Sequence, residues 1–82
     1  MLDIRREPEF IKILSKIKDN SLKERVIKQI KKIVENPEIR KPMRYGRKGT
    51  RELYVPPLRI SYTFDNQAEL LIFLDIYHKD EQ

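Results

Sequence analysis

The chain has 82 residues, no cysteine, a single histidine, and 18 basic against 13 acidic side chains, for a net charge of +5. A chain this short buries only about 60% of its unfolded surface, which excludes a second core and predicts one domain over 1–82. Without cysteine there is neither a disulfide framework nor a thiolate metal site, and one histidine excludes most all-protein zinc geometries, so no metal or cofactor is expected.

Leu2 to Arg6 alternates apolar and polar residues, as a short strand does. Pro8 stands where a first helical turn tolerates it, and Phe10, Ile13, Leu14 and Ile17 recur at helical spacing until Asp19-Asn20 breaks the pattern. Ser21-Leu22-Lys23-Glu24 has the form of a capping box and predicts the start of a second helix. Its apolar stripe is Leu22, Val26, Ile30 and Ile33 with Ile27 and Val34 beside them, and it stops at Asn36-Pro37. Two amphipathic helices with so short a joint are expected to form an antiparallel hairpin, and the stripes are read as core.

After Pro42 the period changes from 3.6 to 2. Leu53 and Val55 alternate with Glu52 and Tyr54, and Leu58, Ile60 and Tyr62 alternate with Arg59, Ser61 and Thr63; Val55-Pro56-Pro57-Leu58 marks the turn between the two strands. Asp65-Asn66-Gln67 is the next turn, and the apolar run Glu69 to Ile76 reads as a central strand. The expected fold is α+β: an N-terminal strand and a two-helix antiparallel hairpin packed on one face of a small antiparallel sheet, with the other face open. Arg59, between Leu58 and Ile60, then points away from the core.

The segment Arg40 to Arg51 holds six cations, Arg40, Lys41, Arg44, Arg47, Lys48 and Arg51, and no acid. Such a cluster suits an anionic partner, either nucleic acid or an acidic protein, and is also compatible with a merely solvated surface. Gly46 and Gly49 would let this loop approach a phosphate backbone closely. No apolar run approaches the roughly 18 residues of a membrane span, and the N-terminus lacks a secretory segment, which predicts a cytoplasmic location and no membrane association.

The helical hairpin, the basic loop, Leu53-Tyr54-Val55-Pro56-Pro57-Leu58-Arg59-Ile60-Ser61-Tyr62 and the terminal Ile76-Tyr77-His78-Lys79 together resemble the RelE/ParE superfamily of toxin–antitoxin toxins over essentially the whole chain. The resemblance implies a microbial RNase fold and one of two activities. RelE-like members are ribosome-dependent endoribonucleases, or mRNA interferases, that cut mRNA in the A site and inhibit translation. ParE-like members poison gyrase, and a degenerate member would only bind nucleic acid or its antitoxin. It also implies a cognate RelB-like acidic antitoxin, held in a toxin–antitoxin hetero-oligomer, with the ribosome and mRNA as further partners.

Cleavage of this kind, metal-independent, has a 2′-OH attack the adjacent phosphate. The resemblance makes Arg59 the residue that stabilises charge on the phosphoryl oxygens, with Lys79 in the place of a second catalytic arginine and His78 matching the family histidine. Arg59 has a structural alternative, pairing across the sheet with Glu52, and His78 has one as a plain strand end. Tyr54 is an acid or base, a platform for a base, or only a half-exposed aromatic. Arg44, Arg47, Lys48 and Arg51 are the expected RNA-binding residues. The sequence departs from the RelE pattern in carrying Glu52 and Tyr54 where outward lysines are common, and in ending at Gln82 before the usual tyrosine or lysine-rich tail, so the general base is left unassigned.

Overall fold

The computed structural model describes residues 2–38 and 50–78, in the order β1 (Asp3–Arg6), α1 (Pro8–Lys16), α2 (Asn20–Glu35), β2 (Thr50–Val55), β3 (Leu58–Asp65) and β4 (Leu70–His78). Pro8 opens α1 with the backbone angle a first turn requires, Glu9 lies near the positive end of the helix dipole, and Lys16 near the negative end. At Ile17 the backbone turns extended, which ends the helix three residues before the next begins.

The start of α2 differs from the expected capping box. Asp19, extended at φ −73° and ψ 110°, is the N-cap, and its carboxylate accepts from the backbone N–H of Ser21 at 2.9 Å and of Leu22 at 3.2 Å. Ser21 is therefore already inside the first turn. A carboxylate at this position satisfies two orphan donors and also complements the helix dipole, which a serine hydroxyl does less well. The other end is as the sequence predicts: α2 stops at Glu35, with Asn36 out of helical geometry before Pro37.

The strands form one sheet in the order β1-β4-β3-β2. The meander β2-β3-β4 is antiparallel, but β1 runs parallel to β4, with Asp3 opposite Leu70 and Arg6 opposite Phe73, so the sheet is mixed where a wholly antiparallel one was expected. β3 occupies one side of β4, and the free side accepts β1. The long connection that a parallel pair needs is supplied by everything between them.

Pro56-Pro57 forms the β2–β3 turn, closed by the pair Val55 and Leu58. Asp65 Oδ1 organises the next turn by accepting from Gln67 N at 3.0 Å and Ala68 N at 3.1 Å. Glu69 lies in that turn at φ +51°, so β4 begins at Leu70 and not at Glu69, and it continues past Ile76 to His78.

One face of the sheet is covered by both helices. α1 lies over β4 and α2 reaches β2. Phe10 from α1 and Val26 and Ile33 from α2 join Leu53, Val55, Ile60, Tyr62, Leu71, Phe73 and Ile76 in a single cluster, and the Phe10 ring stacks on Phe73 at 5.0 Å. Ile27, read from sequence as part of the α2 stripe, is 38% exposed at its margin.

A bulge interrupts the β3–β4 ladder. Tyr62 faces Phe73 but Ser61 faces Asp75, which leaves Leu74 as the extra residue. Before the bulge Leu71 and Phe73 point into the core; after it Ile76 does, so the alternation changes phase. β1 pairs only as far as Phe73, and beyond the bulge the sheet is three strands wide among the described residues.

Candidate functional site

The face of the three-stranded end that is turned away from the helices carries two cross-strand rows. Residues directly opposite one another point to the same face. One row is Tyr54, Arg59 and Tyr77, and the next is Glu52, Ser61 and Asp75. Arg59 is there because its neighbours Leu58 and Ile60 turn toward the helices, Ile60 being fully buried, as the sequence predicts.

Arg59 Nη1 donates to Glu52 Oε1 at 2.6 Å, diagonally between the rows. The pairing foreseen as a structural alternative for Arg59 is thus present. Its two partners are unequally covered: the Arg59 side chain is 32% exposed and that of Glu52 only 10%. The Tyr54 ring, with its centroid 5.5 Å from Arg59 Cζ, completes the cluster at cation–π distance. Glu52 Oε2 and Arg59 Nε are covered from solvent and have no hydrogen-bond partner among the described residues. Buried polar atoms are nearly always paired, so two orphans on one ion pair leave hydrogen-bonding capacity unmet at this point of the sheet.

This arrangement supplies a carboxylate with one oxygen uncommitted, a guanidinium held in a fixed orientation beside it, and aromatic surface at Tyr54. A carboxylate of this kind can accept a proton. The planar guanidinium fork can hold two oxygens of a phosphate, and the aromatic ring offers a stacking surface.

Of the residues singled out from sequence, Arg59 and Tyr54 are brought together here. His78 is not: it pairs with Leu58, two residues beyond the buried Ile76, and so belongs to the helix-covered side of the sheet. Arg51 is the second residue of β2 and not part of a loop; it sits opposite Tyr62, on the side to which Leu53 and Val55 point, away from Arg59. Arg44, Arg47, Lys48 and Lys79, with Arg40, Lys41, Gly46 and Gly49, lie outside the described residues.

Two residues at the site were not assigned to it from sequence. Glu52 enters the sequence reading as a partner for Arg59 and as a departure from the outward lysines of the RelE pattern, although its two-residue offset from Tyr54 already places both on one face. Tyr77 is put opposite Arg59 by the bulge, and an unbroken apolar run gives no signal of a bulge.

Two helices thus back a small mixed sheet, with an arginine–carboxylate pair on the face turned away from them. The fold is similar to a chain of the intact Escherichia coli RelBE toxin–antitoxin complex, at 14% identity over 100% of both chains with a TM-score of 0.79. It is similar to the YoeB/ParE toxin from Agrobacterium tumefaciens, at 11% identity over 94% of this chain and 98% of that one with a TM-score of 0.80. A chain of the archaeal RelE–RelB complex from Pyrococcus horikoshii OT3 aligns at 10% identity over 99% and 98%, with a TM-score of 0.76. Identities this low speak for the fold alone. Residues 3–82 match the family described as ParE toxin of type II toxin–antitoxin system, parDE, and the chain belongs to that family. It is a type II toxin with the RelE/ParE fold. No curated protein sequence matches it significantly. Among the described residues no helix is long and apolar enough to cross a membrane.

Proposed function

We propose that this toxin is an endoribonuclease of the RelE kind, cutting mRNA in the ribosomal A site and thereby inhibiting translation. The observation that carries the proposal is the Arg59–Glu52 pair beside Tyr54, on the sheet face turned away from the helices. The Glu52 carboxylate takes the proton of the 2′-OH as that oxygen forms a bond to the adjacent phosphorus. Arg59, steadied by Oε1, donates to the non-bridging oxygens, where negative charge builds up in the transition state. The bond from phosphorus to the 5′-oxygen breaks, and the Tyr54 hydroxyl returns a proton to that leaving oxygen. The products are a 2′,3′-cyclic phosphate and a 5′-hydroxyl, with protons and bonds balanced and no metal called for. Arg44, Arg47, Lys48 and Lys79 are assigned to phosphate contacts around the site. Arg51 and His78 take no direct part, because the strand register turns them to the other face.

In the cell the toxin pairs with a cognate, acidic, RelB-like antitoxin; the structurally similar chains come from toxin–antitoxin complexes of RelE with RelB. The family match and the reversed position of His78 favour a second reading, a ParE-like poison of gyrase without nuclease activity.

The test is cell-free translation of a defined message with the purified protein, mapping new mRNA ends by primer extension. Glu52→Gln, Arg59→Ala and untranslated RNA run alongside. The expected result is ends within codons on translated message only, reduced about 10²-fold or more in Glu52→Gln. Undisturbed message and normal protein synthesis would overturn the nuclease proposal, and inhibition of gyrase supercoiling in the same preparation would establish the second reading.

A further inference from the structure

A groove of about 290 Å³ runs beside the site, between α2 and the outer edge of β2. Arg25, Lys28 and Lys32 line it from the helix, and Tyr54 and Pro56 from the strand and its turn. The three cations follow one another at i, i+3 and i+7, so they share one face of α2 over about 10 Å of helix axis. None of them makes a side-chain hydrogen bond or ion pair among the described residues. The acids of α2, Glu24 and Glu35, do not line the groove. Helix stability does not ask for this stripe. Only Lys32 falls in the last turn, where the dipole favours a cation, while Arg25 and Lys28 stand further forward beside like charges.

Tyr54 belongs both to the groove and to the cluster around Arg59, 5.5 Å from its guanidinium. The two surfaces are therefore continuous over the edge of β2. We infer that the RNA strand passing Arg59 leaves the sheet over Tyr54 and lays its phosphates along Arg25, Lys28 and Lys32. This rests on the nuclease reading for the identity of the strand. It adds a binding track outside the reacting centre, on a helix otherwise accounted for only by its buried stripe. A single strand fits this surface because three cations on successive turns of α2 can follow a flexible phosphate backbone while Tyr54 offers a ring on which a base can stack.

The experiment measures binding of the full-length toxin to fluorescein-labelled 2′-O-methyl RNA, which cannot be cleaved, as a trimer and as a decamer over a range of salt. The variants are Arg25→Gln/Lys28→Gln/Lys32→Gln, whose exposed glutamines keep helix propensity close to that of the cations, and Arg59→Ala. The triple variant is expected to lose about tenfold or more in affinity for the decamer at low salt. Its logarithmic salt slope should fall by about 2, at roughly 0.7 for each single-strand phosphate contact. Trimer binding should stay as in wild type. An unchanged decamer slope, or equal loss for trimer and decamer, would overturn the track. So would oligoglutamate that displaces the decamer from wild type as well as unlabelled RNA does. Arg59→Ala separates the two proposals: if it leaves the trimer untouched while the triple variant loses the decamer, the track stands and the role of Arg59 falls.

Discussion

Removing Arg59 should cost more stability than removing Glu52, and the reason lies in how unequally the pair is covered. Glu52 is 10% exposed and Arg59 32%, with 2.6 Å between the bonded atoms. An exposed ion pair contributes about 0–1 kcal/mol, whereas stranding one member of a buried pair costs about 3–5 kcal/mol. Arg59→Ala strands the covered member, a carboxylate that already has one oxygen unpartnered, although truncation also opens a path for water; the expected cost is about 2 kcal/mol. Glu52→Gln strands the more exposed member, which reaches water with little rearrangement, for about 1 kcal/mol. The sharper expectation is a sign: in the Arg59→Ala background, Glu52→Gln should restore about 1 kcal/mol, because it removes the charge left behind. Urea unfolding of the wild type, both single variants and the double variant at neutral pH measures all four values. Further destabilisation on adding Glu52→Gln to Arg59→Ala would refute the claim that a stranded, covered carboxylate sets the cost.

The capping assignment separates two residues that look equally good in sequence. Asp19→Ala should lower stability by about 1 kcal/mol while Ser21→Ala changes it by no more than a few tenths, as urea titration of the two variants would show. In the core, Phe10→Ala removes the ring stacked on Phe73 and should cost about 3–5 kcal/mol, enough to lower the thermal midpoint by well over 10 °C, whereas Ile27→Ala at the exposed margin should cost far less.

What could be read from the sequence followed from how local its physics is. Periods of 3.6 and 2, the stop at Asn36-Pro37, the Pro56-Pro57 turn and the outward side of Arg59 depend on neighbours a few residues apart, and each is found as expected. The capping box at Ser21 is a real pattern, but Asp19, two residues earlier, provides a stronger acceptor at a helix dipole. The parallel pairing of β1 with β4 joins residues more than sixty positions apart and leaves no local mark. The bulge hides for a different reason. Leu70 to Leu74 is apolar at every position, so a change of phase within it alters no visible alternation. That is why His78, which the resemblance matches to the family histidine and sets in one site with Arg59, falls on the opposite side of the sheet, and why the sequence does not single out Tyr77.

The narrowing of the sheet past Phe73 sets the scale of anything that can rest on its open face. With strands about 4.8 Å apart, the floor under Arg59 is only about 10 Å from the β2 backbone to the β4 backbone. Arg59 sits on the middle strand, one spacing from a margin in either direction. A chain laid crosswise runs out of floor almost at once. Among the described residues, its further hold on the protein comes from past the β2 margin, where α2 lies.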